Sequence, residues 1–476
     1  MRAEGDYLAA RLREIVSDER AVLTAAEDLI AYGYDAAWFD ASPAIVVCPQ
    51  NVQEVAQIHR LAFEERIPIT PRAMGSSLSG GAIPSAGAIV LSVMRMNRIL
   101  EIDTVNRVAV VQAGVITGEL QRAVEEQGLF YPPDPSSLRQ SAIGGNIAEN
   151  AGGSRCLKYG VTSDYVTALQ VVLADGTILR TGGKTVKNVT GYDLRALFTG
   201  SEGTLGTVTE ATLRLLPKPR YTRTALAAFD AIDDAAAAVT AIMTSGVVPT
   251  AIELLDALTV RCVTERGSPV FPQACDAVLI FAVDGNYEEA VSGDLAQIEQ
   301  IVRAHRAVCV QVARTPEESD RIWEARRSVS PALARRRPNK LGEDVCVPVS
   351  QIPQMIRRIR EIAAAHDLLI PVFGHAGDGN LHPNILCDRR DAAEVARVQL
   401  AAREIFEAAV ALGGTLSGEH GIGVLKKQFM ELDVGTDALE LMRRIKEAVD
   451  PAGIMNPGKM FPQSGGAAAF RLDPDA

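Results

Sequence analysis

The glycines of this chain gather in loops at 75–81, 144–153, 200–206 and 456–458, and that distribution constrains the fold more than any other feature. A glycine lets the backbone approach a ligand closely and present its N–H groups as donors. Taken singly, such loops are better explained as tight turns in a β-rich domain. Taken together, loops spread over one domain suit a long, folded, polar ligand such as a dinucleotide. Two common nucleotide folds are disfavoured. GSEGTLG (200–206) lacks the spacing of a G-x-G-x-x-G fingerprint and leads into a strand-like segment. GGKT (182–185) imitates the end of a phosphate loop, but the first glycine of that motif would fall on Ile178.

At 476 residues the chain exceeds what one hydrophobic core usually serves, so two or three domains are expected. There are 48 basic and 59 acidic residues, a formal net charge of −11, which argues against a broad nucleic-acid footprint. An anionic small substrate stays compatible, because a local cationic pocket can exist on an acidic protein. The seven cysteines, at 48, 156, 262, 275, 309, 346 and 387, form no CxxC pair. They read as buried free thiols in a reducing compartment, not as ligands of a zinc knuckle or iron–sulfur cluster. Glu4 and Asp6 stand where a signal peptide would need an apolar run, and no uncharged apolar stretch reaches the ~18 residues of a membrane span. The expected location is the cytoplasm, with attachment to the inner membrane through a partner left open.

Periodicity divides the chain further. Residues 1–43 read as a helical segment, with Leu8, Leu12, Ile15 and Val16 on one face. Short strands are expected at 44–49, 67–72, 88–93 and 107–115. Helices are expected at 51–66 and 117–128, the second with Thr117 as N-cap and Gly128 as its stop. Residues 167–181 read as a hairpin about Asp175-Gly176, and 204–216 as a half-buried strand. KPR (218–220) marks a boundary. Beyond it strands and helices alternate, as in an α+β domain whose sheet carries helices on one face. SGGAAAF near the C-terminus reads as a loose tail.

PRAMGSSLSGG, PPDPSS, GGNIAENAGGSRCLKYG, KNVTGYDL, GSEGTLG and NPGK occur in this order. Together they resemble the FAD-linked flavoproteins of the vanillyl-alcohol oxidase superfamily. Within it, the chain looks like the branch containing the D subunit of glycolate oxidase and the D-lactate and D-2-hydroxyglutarate dehydrogenases. The resemblance spans about Ala44 to Phe461. It implies an α+β fold: a PCMH-type FAD-binding domain of two α/β subdomains (44–217), a ferredoxin-like substrate or cap domain (218–425), and a C-terminal segment (426–476) returning to the FAD domain. It also implies cofactor contacts at Arg72, Gly75, Ser76, Ser77, Gly80, Pro133, Asp134, Gly145, Asn146, Gly152, Gly153, Glu202, Gly206, Val208 and Asn456. Some members tether the flavin through a histidine in the pyrophosphate loop. Residues 72–81 contain no histidine or cysteine, so non-covalent FAD is expected; His59, within a helix, reads as structural.

Three of the six histidines lie within forty-six residues: His375, His382 and His420. In GHAGDGNLHPN, a two-residue turn at Asp378-Gly379 would pair 375 with 382. Their Cβ atoms would then lie roughly 5 Å apart, with Asn384 on the same face. Two histidines hydrogen-bonded in a turn is the simpler alternative. SGEHGIG (417–423) adds Glu419 and His420 among flexible glycines, and two imidazoles with one carboxylate leave an open position on a metal ion. The resemblance implies the same set: His375, His382 and Glu419 on a divalent ion, often zinc, with His420 as the base. It further implies that Arg326, in Trp323-Glu-Ala-Arg326, grips a substrate carboxylate. The competing reading makes Arg326 one of several solvated cations in a basic helix. Hydroxyglutarate dehydrogenases carry a lysine just before the strand matching EDVCVP; Lys340 is displaced from that position, which favours a monocarboxylate.

The activity so implied is hydride transfer from a D-2-hydroxy acid of lactate or glycolate type to flavin N5, giving the 2-oxo acid. Arg326, Asn384 and His420 would face that substrate. An oxidase using oxygen, or an FAD-binding component of a larger complex, stays open. So does assembly as a homodimer or with an iron–sulfur protein.

Overall fold

The computed structural model describes residues 2–265, 270–272 and 275–462; the tail SGGAAAF lies outside them. The chain forms two compact units. The first comprises 1–152, 161–218 and 419–476, and the second 153–160 and 219–418. The divisions differ from the sequence boundaries in three places. Residues 1–43 are no separate segment, because Leu8, Leu12 and Val16 are buried in one cluster with Ile45, Val46 and Val47. Residues 153–160 belong to the second unit, where Lys158 Nζ and Tyr159 Oη both donate to Asp284. The second unit ends at 418, inside the SGEHGIG motif, not at 425.

The first unit contains two sheets. A four-stranded sheet places Ile89–Ser92 between Ile45–Val47 and Ile69–Arg72, parallel to both, with Val22–Leu23 at the edge. Parallel strands need a crossover connection, and the helix Val52–Glu65 carries the chain from Ile45–Val47 to Ile69–Arg72, on the far side of Ile89–Ser92. Asn51 caps that helix by accepting from the N–H groups of Gln53 and Glu54, and Val55, Ile58 and Ala62 form its buried face. Beyond Ile69 the sheet is extended by the C-terminal segment: Ile69 N–H donates to Ile454 and Asn456 N–H donates to Ile69. The second sheet is antiparallel, in the order Ile99–Asp103, Val108–Gln112, Thr207–Arg214, Val166–Val172, Ile178–Gly182. Its last pair is the hairpin expected at Asp175-Gly176. Thr117 begins the helix Thr117–Glu125, but Ile116 occupies the cap position. The Thr117 hydroxyl is turned instead to the Ser141 carbonyl at 3.2 Å.

The second unit is built on an antiparallel sheet. Its order is Cys309–Val312, Tyr221–Phe229, Ala277–Gly285, Ala251–Asp256, Val372–His375, Asn380–Cys387, Asn339–Gly342, and Val345–Cys346 also pairs with Asn380–Cys387. Helices cover both faces, not one. Leu226, Ala228, Val278 and Ile280 pack in one cluster with Val260, Val263, Ile322, Val329 and Leu333. The helices Ile232–Met243 and Glu288–Ala304 contact the same two strands but contribute nothing to that cluster. Strands buried on both faces lose the alternation that marks a one-sided sheet. That is why Ala251–Asp256, buried at all six positions, carries no strand signature in the sequence. All seven cysteines are free, but only Cys48, Cys262 and Cys387 are buried as expected; Cys156, Cys275 and Cys346 are half-buried and Cys309 is exposed.

Candidate active site

In the first unit the glycine loops are braced by neighbouring side chains. Gly75 and Gly80 have φ of +66° and +83°, which L side chains rarely adopt. A Cβ at Gly75 would also strike the Arg72 guanidinium. Arg72 is itself buried, donating to the carbonyls of Ala82 at 3.1 Å and Tyr34 at 2.7 Å, so it fastens the loop from behind. Ser76 and Ser77 are half-buried on this loop, and the hydroxyls of Ser77 and Ser79 are 2.9 Å apart. Asn146 donates to the Thr117 hydroxyl at 2.6 Å, and Asn456 donates to the carbonyls of Gly81 and Glu202. Gly206 serves packing: a Cβ there would lie 2.8 Å from the Val172 carbonyl. Val208 follows on that strand, paired with Val171. Pro133 is buried and Asp134 half-buried, while Gly145 has only Ala73 within reach of an added Cβ. Gly152 and Gly153 are buried where the chain leaves the first unit. Braced glycine loops suit the close backbone approach that a dinucleotide cofactor needs.

Glu202 holds a different partner from the one the motif suggests. Its two carboxylate oxygens accept from the N–H groups of Ile422 and Gly423, each at 2.7 Å. The segment carrying Glu419 and His420 is therefore tied to the GSEGTLG loop within the first unit. Glu149 lies against the same segment, where an added Cβ on Gly421 would meet its Oε2. Burial raises the pKa of both carboxyls. The Glu202 charge raises Glu149 further, whereas the Ile422 and Gly423 amides oppose the rise at Glu202. His59 lies in the helix core, bonded to the Leu173 carbonyl and the Thr207 hydroxyl, and burial lowers its pKa to about 4. That is a structural histidine.

In the second unit the histidine hairpin forms with a different register. His375 pairs with Asn380 and Phe373 with His382, so the turn spans 376–379 and the pairing is displaced by two residues. The reason is local. The Gly377 N–H donates to Ile252 on the neighbouring strand, and the Asp378 and Gly379 N–H groups close onto the His375 carbonyl. A two-residue displacement keeps each side chain on its face, so His375 and His382 become diagonal neighbours. Their ring centroids are 5.1 Å apart and perpendicular.

Each ring has a carboxylate behind Nδ1. Glu253 Oε1 is 2.5 Å from His375 Nδ1, and Asp344 Oδ1 is 3.9 Å from His382 Nδ1. Because a carboxylate only accepts, the first contact assigns the proton to His375 Nδ1 and leaves the Nε2 lone pair for a metal. Glu253 Oε2 meanwhile accepts from Arg326 Nε at 2.6 Å, and the guanidinium lies 4.7 Å over the Phe373 ring. Burial acts to raise the Glu253 pKa, but the Arg326 charge and the His375 N–H donor outweigh it and the net direction is down. Arg326 is buried, which removes it from the class of solvated helix cations. Asp344 also accepts from Asn380 and, at 2.6 Å, from the Ser417 hydroxyl; Glu419 follows two residues later. Glu419 and His420 are half-buried on irregular backbone. Asn384 donates to the His382 carbonyl, and its Oδ1 lies 3.2 Å from Lys340 Nζ. Lys340 therefore reaches the histidine face despite its displaced position in sequence, and burial lowers its pKa.

Two family models divide the chain between them: an FAD binding domain at residues 43–182 and the C-terminal domain of FAD linked oxidases at 218–460. Glycolate oxidase subunit GlcD of Bacillus subtilis is 48% identical over 433 residues, 91% of this chain and 92% of its own length. The chain belongs to the FAD-linked oxidase family. D-lactate dehydrogenase of Anaerostipes hadrus is 34% identical to this oxidoreductase over 94% of both chains. The fold agrees with that of p-cresol methylhydroxylase with substrate bound, at a TM-score of 0.81, with 97% of each chain covered and 18% identity. Among the described residues of this FAD-linked oxidoreductase, no helix is long and apolar enough to cross a membrane.

Proposed function

We propose that this chain oxidises a D-2-hydroxy acid of the lactate or glycolate class to the 2-oxo acid. The FAD would be held non-covalently, and a divalent ion, with zinc first in line, by His375, His382 and Glu419. FAD would supply the two-electron acceptor, and the ion a Lewis acid at the substrate oxygens. The protein groups do the rest. Arg326, already oriented by Glu253, receives the substrate carboxylate on its remaining N–H groups. Asn384 borders that position. His420 takes the hydroxyl proton, a task suited to an imidazole near neutral pH.

The observation that carries the reading is the carboxylate-backed imidazole of His375 beside the perpendicular ring of His382. Such backing fixes the tautomer of metal-bound histidines. The names of the relatives, a glycolate oxidase subunit and a D-lactate dehydrogenase, support the substrate class. The first of those names supports a working partner as well. Lys340 favours a second reading, in which the substrate carries another carboxylate at its far end.

Chelation should abolish flavin reduction by hydroxy acid while FAD stays bound, and His382→Ala should behave like the chelated protein. His420→Ala should keep its metal and reduce flavin more slowly by roughly 10²-fold or more, the scale of a lost general base. Full activity after metal removal, verified by elemental analysis, would defeat the assignment.

A further inference from the structure

Glu253 is wholly buried on the strand Ala251–Asp256, directly opposite His375 in the antiparallel register. A buried carboxylate needs partners on both oxygens, and here they differ in kind. Oε1 meets the imidazole of His375 at 2.5 Å. Oε2 meets Arg326 through Nε and Nη2, both at 2.6 Å, and Arg326 comes from the last turn of the helix Pro316–Arg327. One carboxylate thus joins a strand, a hairpin and a helix. The Phe373 ring completes the arrangement, lying under the Arg326 guanidinium and 5.3 Å from the His382 ring.

We propose that Glu253 is a positioning residue that couples metal binding to recognition of the substrate carboxylate. It holds His375 as the Nδ1–H tautomer, so that Nε2 can ligate, and it fixes the Arg326 fork in one orientation. Neither function needs Glu253 to touch substrate or metal. The inference rests on the metal reading proposed above and deepens it by naming what makes the ion and the anion site interdependent. The chemistry of Glu253→Gln shows why the dependence is sharp. The amide oxygen can still accept from Arg326, but the amide nitrogen can only donate. Facing that donor, His375 Nδ1 must accept, which moves the proton to Nε2 and removes the lone pair a metal requires. Arg326→Met, by contrast, leaves the Glu253–His375 contact in place.

The test uses the full-length, FAD-loaded protein and zinc ion as the probe, titrated against a chromophoric chelator, with KM for D-lactate measured beside it. Glu253→Gln should bind zinc 10–100-fold more weakly, the range for lost support behind a metal ligand, and should raise KM at least tenfold. Arg326→Met should raise KM while keeping zinc affinity within a few-fold of wild type. If Glu253→Gln does not fold, the double variant Glu253→Met with Arg326→Met removes the buried pair together and leaves no unpaired charge. It should lose zinc affinity to the same degree. Wild-type zinc affinity in either Glu253 variant overturns the coupling alone. A wild-type chain that binds no zinc overturns the metal reading and the coupling with it.

Discussion

Glu202→Gln tests whether the segment bearing Glu419 and His420 is held in place by the GSEGTLG loop. The wild-type carboxylate accepts two backbone N–H groups, from Ile422 and Gly423, each at 2.7 Å. Glutamine offers one accepting oxygen and sets an NH₂ group against the other amide. Hydrogen bonds to charged groups contribute about 1.5–3 kcal/mol, and a buried donor left unpaired adds to the cost. Removal of the Glu202 charge beside Glu149 offsets part of this, so a net loss of about 2 kcal/mol is expected. Should the whole loss fall on the orientation of the His420 segment in the transition state, the flavin-reduction rate falls roughly 30-fold. The assay is anaerobic stopped-flow reduction at saturating D-lactate, with FAD content and thermal midpoint measured on the same samples. Loss of FAD with an unchanged rate per bound flavin would show that Glu202 serves the cofactor. A wild-type rate with wild-type stability would refute the brace altogether.

His59 gives a pH-dependent prediction. Its folded pKa is about 4 against an ordinary 6.5, so the stability is present above pH 6.5 and is lost as pH falls toward 4. The full loss is about 3 kcal/mol, and roughly 2 kcal/mol of it should be seen between pH 7 and pH 4.5 in urea denaturation. His59→Gln, which can keep both hydrogen bonds, should lose correspondingly less over that interval; parallel curves would show that His59 does not titrate on unfolding. Acid precipitation should release all FAD into the supernatant, because residues 72–81 offer no histidine or cysteine for a covalent link. Yellow colour retained in the pellet would contradict this. Arg326→Met should weaken substrate binding by about 1.5–3 kcal/mol, and unchanged saturation would remove Arg326 from the anion site.

Much of this architecture can be read before any coordinates are known, because turns and hairpins are written in local chemistry. The glycine loops mark the first unit, and the hairpin turns at Asp175-Gly176, although Val172 pairs with Ile178 and the Leu173 N–H donates to Thr177, which makes the loop 174–176. The histidine hairpin shows the limit. Asp378-Gly379 signals a turn, yet the register depends on Gly377 bonding to Ile252, a strand more than a hundred residues away. The face survives that displacement because sheets repeat every two residues, so the convergence of His375 and His382 is legible while their pairing is not. Glu253 is hidden for the same reason. It lies in AIELLD, an apolar run with no alternation, and its partners come from distant segments. The acids Glu253 and Asp256 within such a run are the available signal, since buried carboxylates are seldom left unpaired. Arg326 illustrates the converse: its cation-rich helix suggests solvent, whereas the fold buries the side chain. Lys340, displaced in sequence from the position a second carboxylate would need, still lies 3.2 Å from Asn384 Oδ1.

The central claim is that a bound divalent ion is required for this FAD-linked oxidoreductase to take electrons from a D-2-hydroxy acid. The most direct measurement is anaerobic bleaching of the flavin absorbance by D-lactate, L-lactate and glycolate. It should be made on one preparation divided into zinc-loaded and metal-depleted halves, with metal and FAD content determined in each. Bleaching is expected with D-lactate or glycolate and not with L-lactate, confined to the loaded half and restored when zinc is returned. Equal bleaching in the two halves, or reduction by the L-enantiomer alone, would contradict the claim.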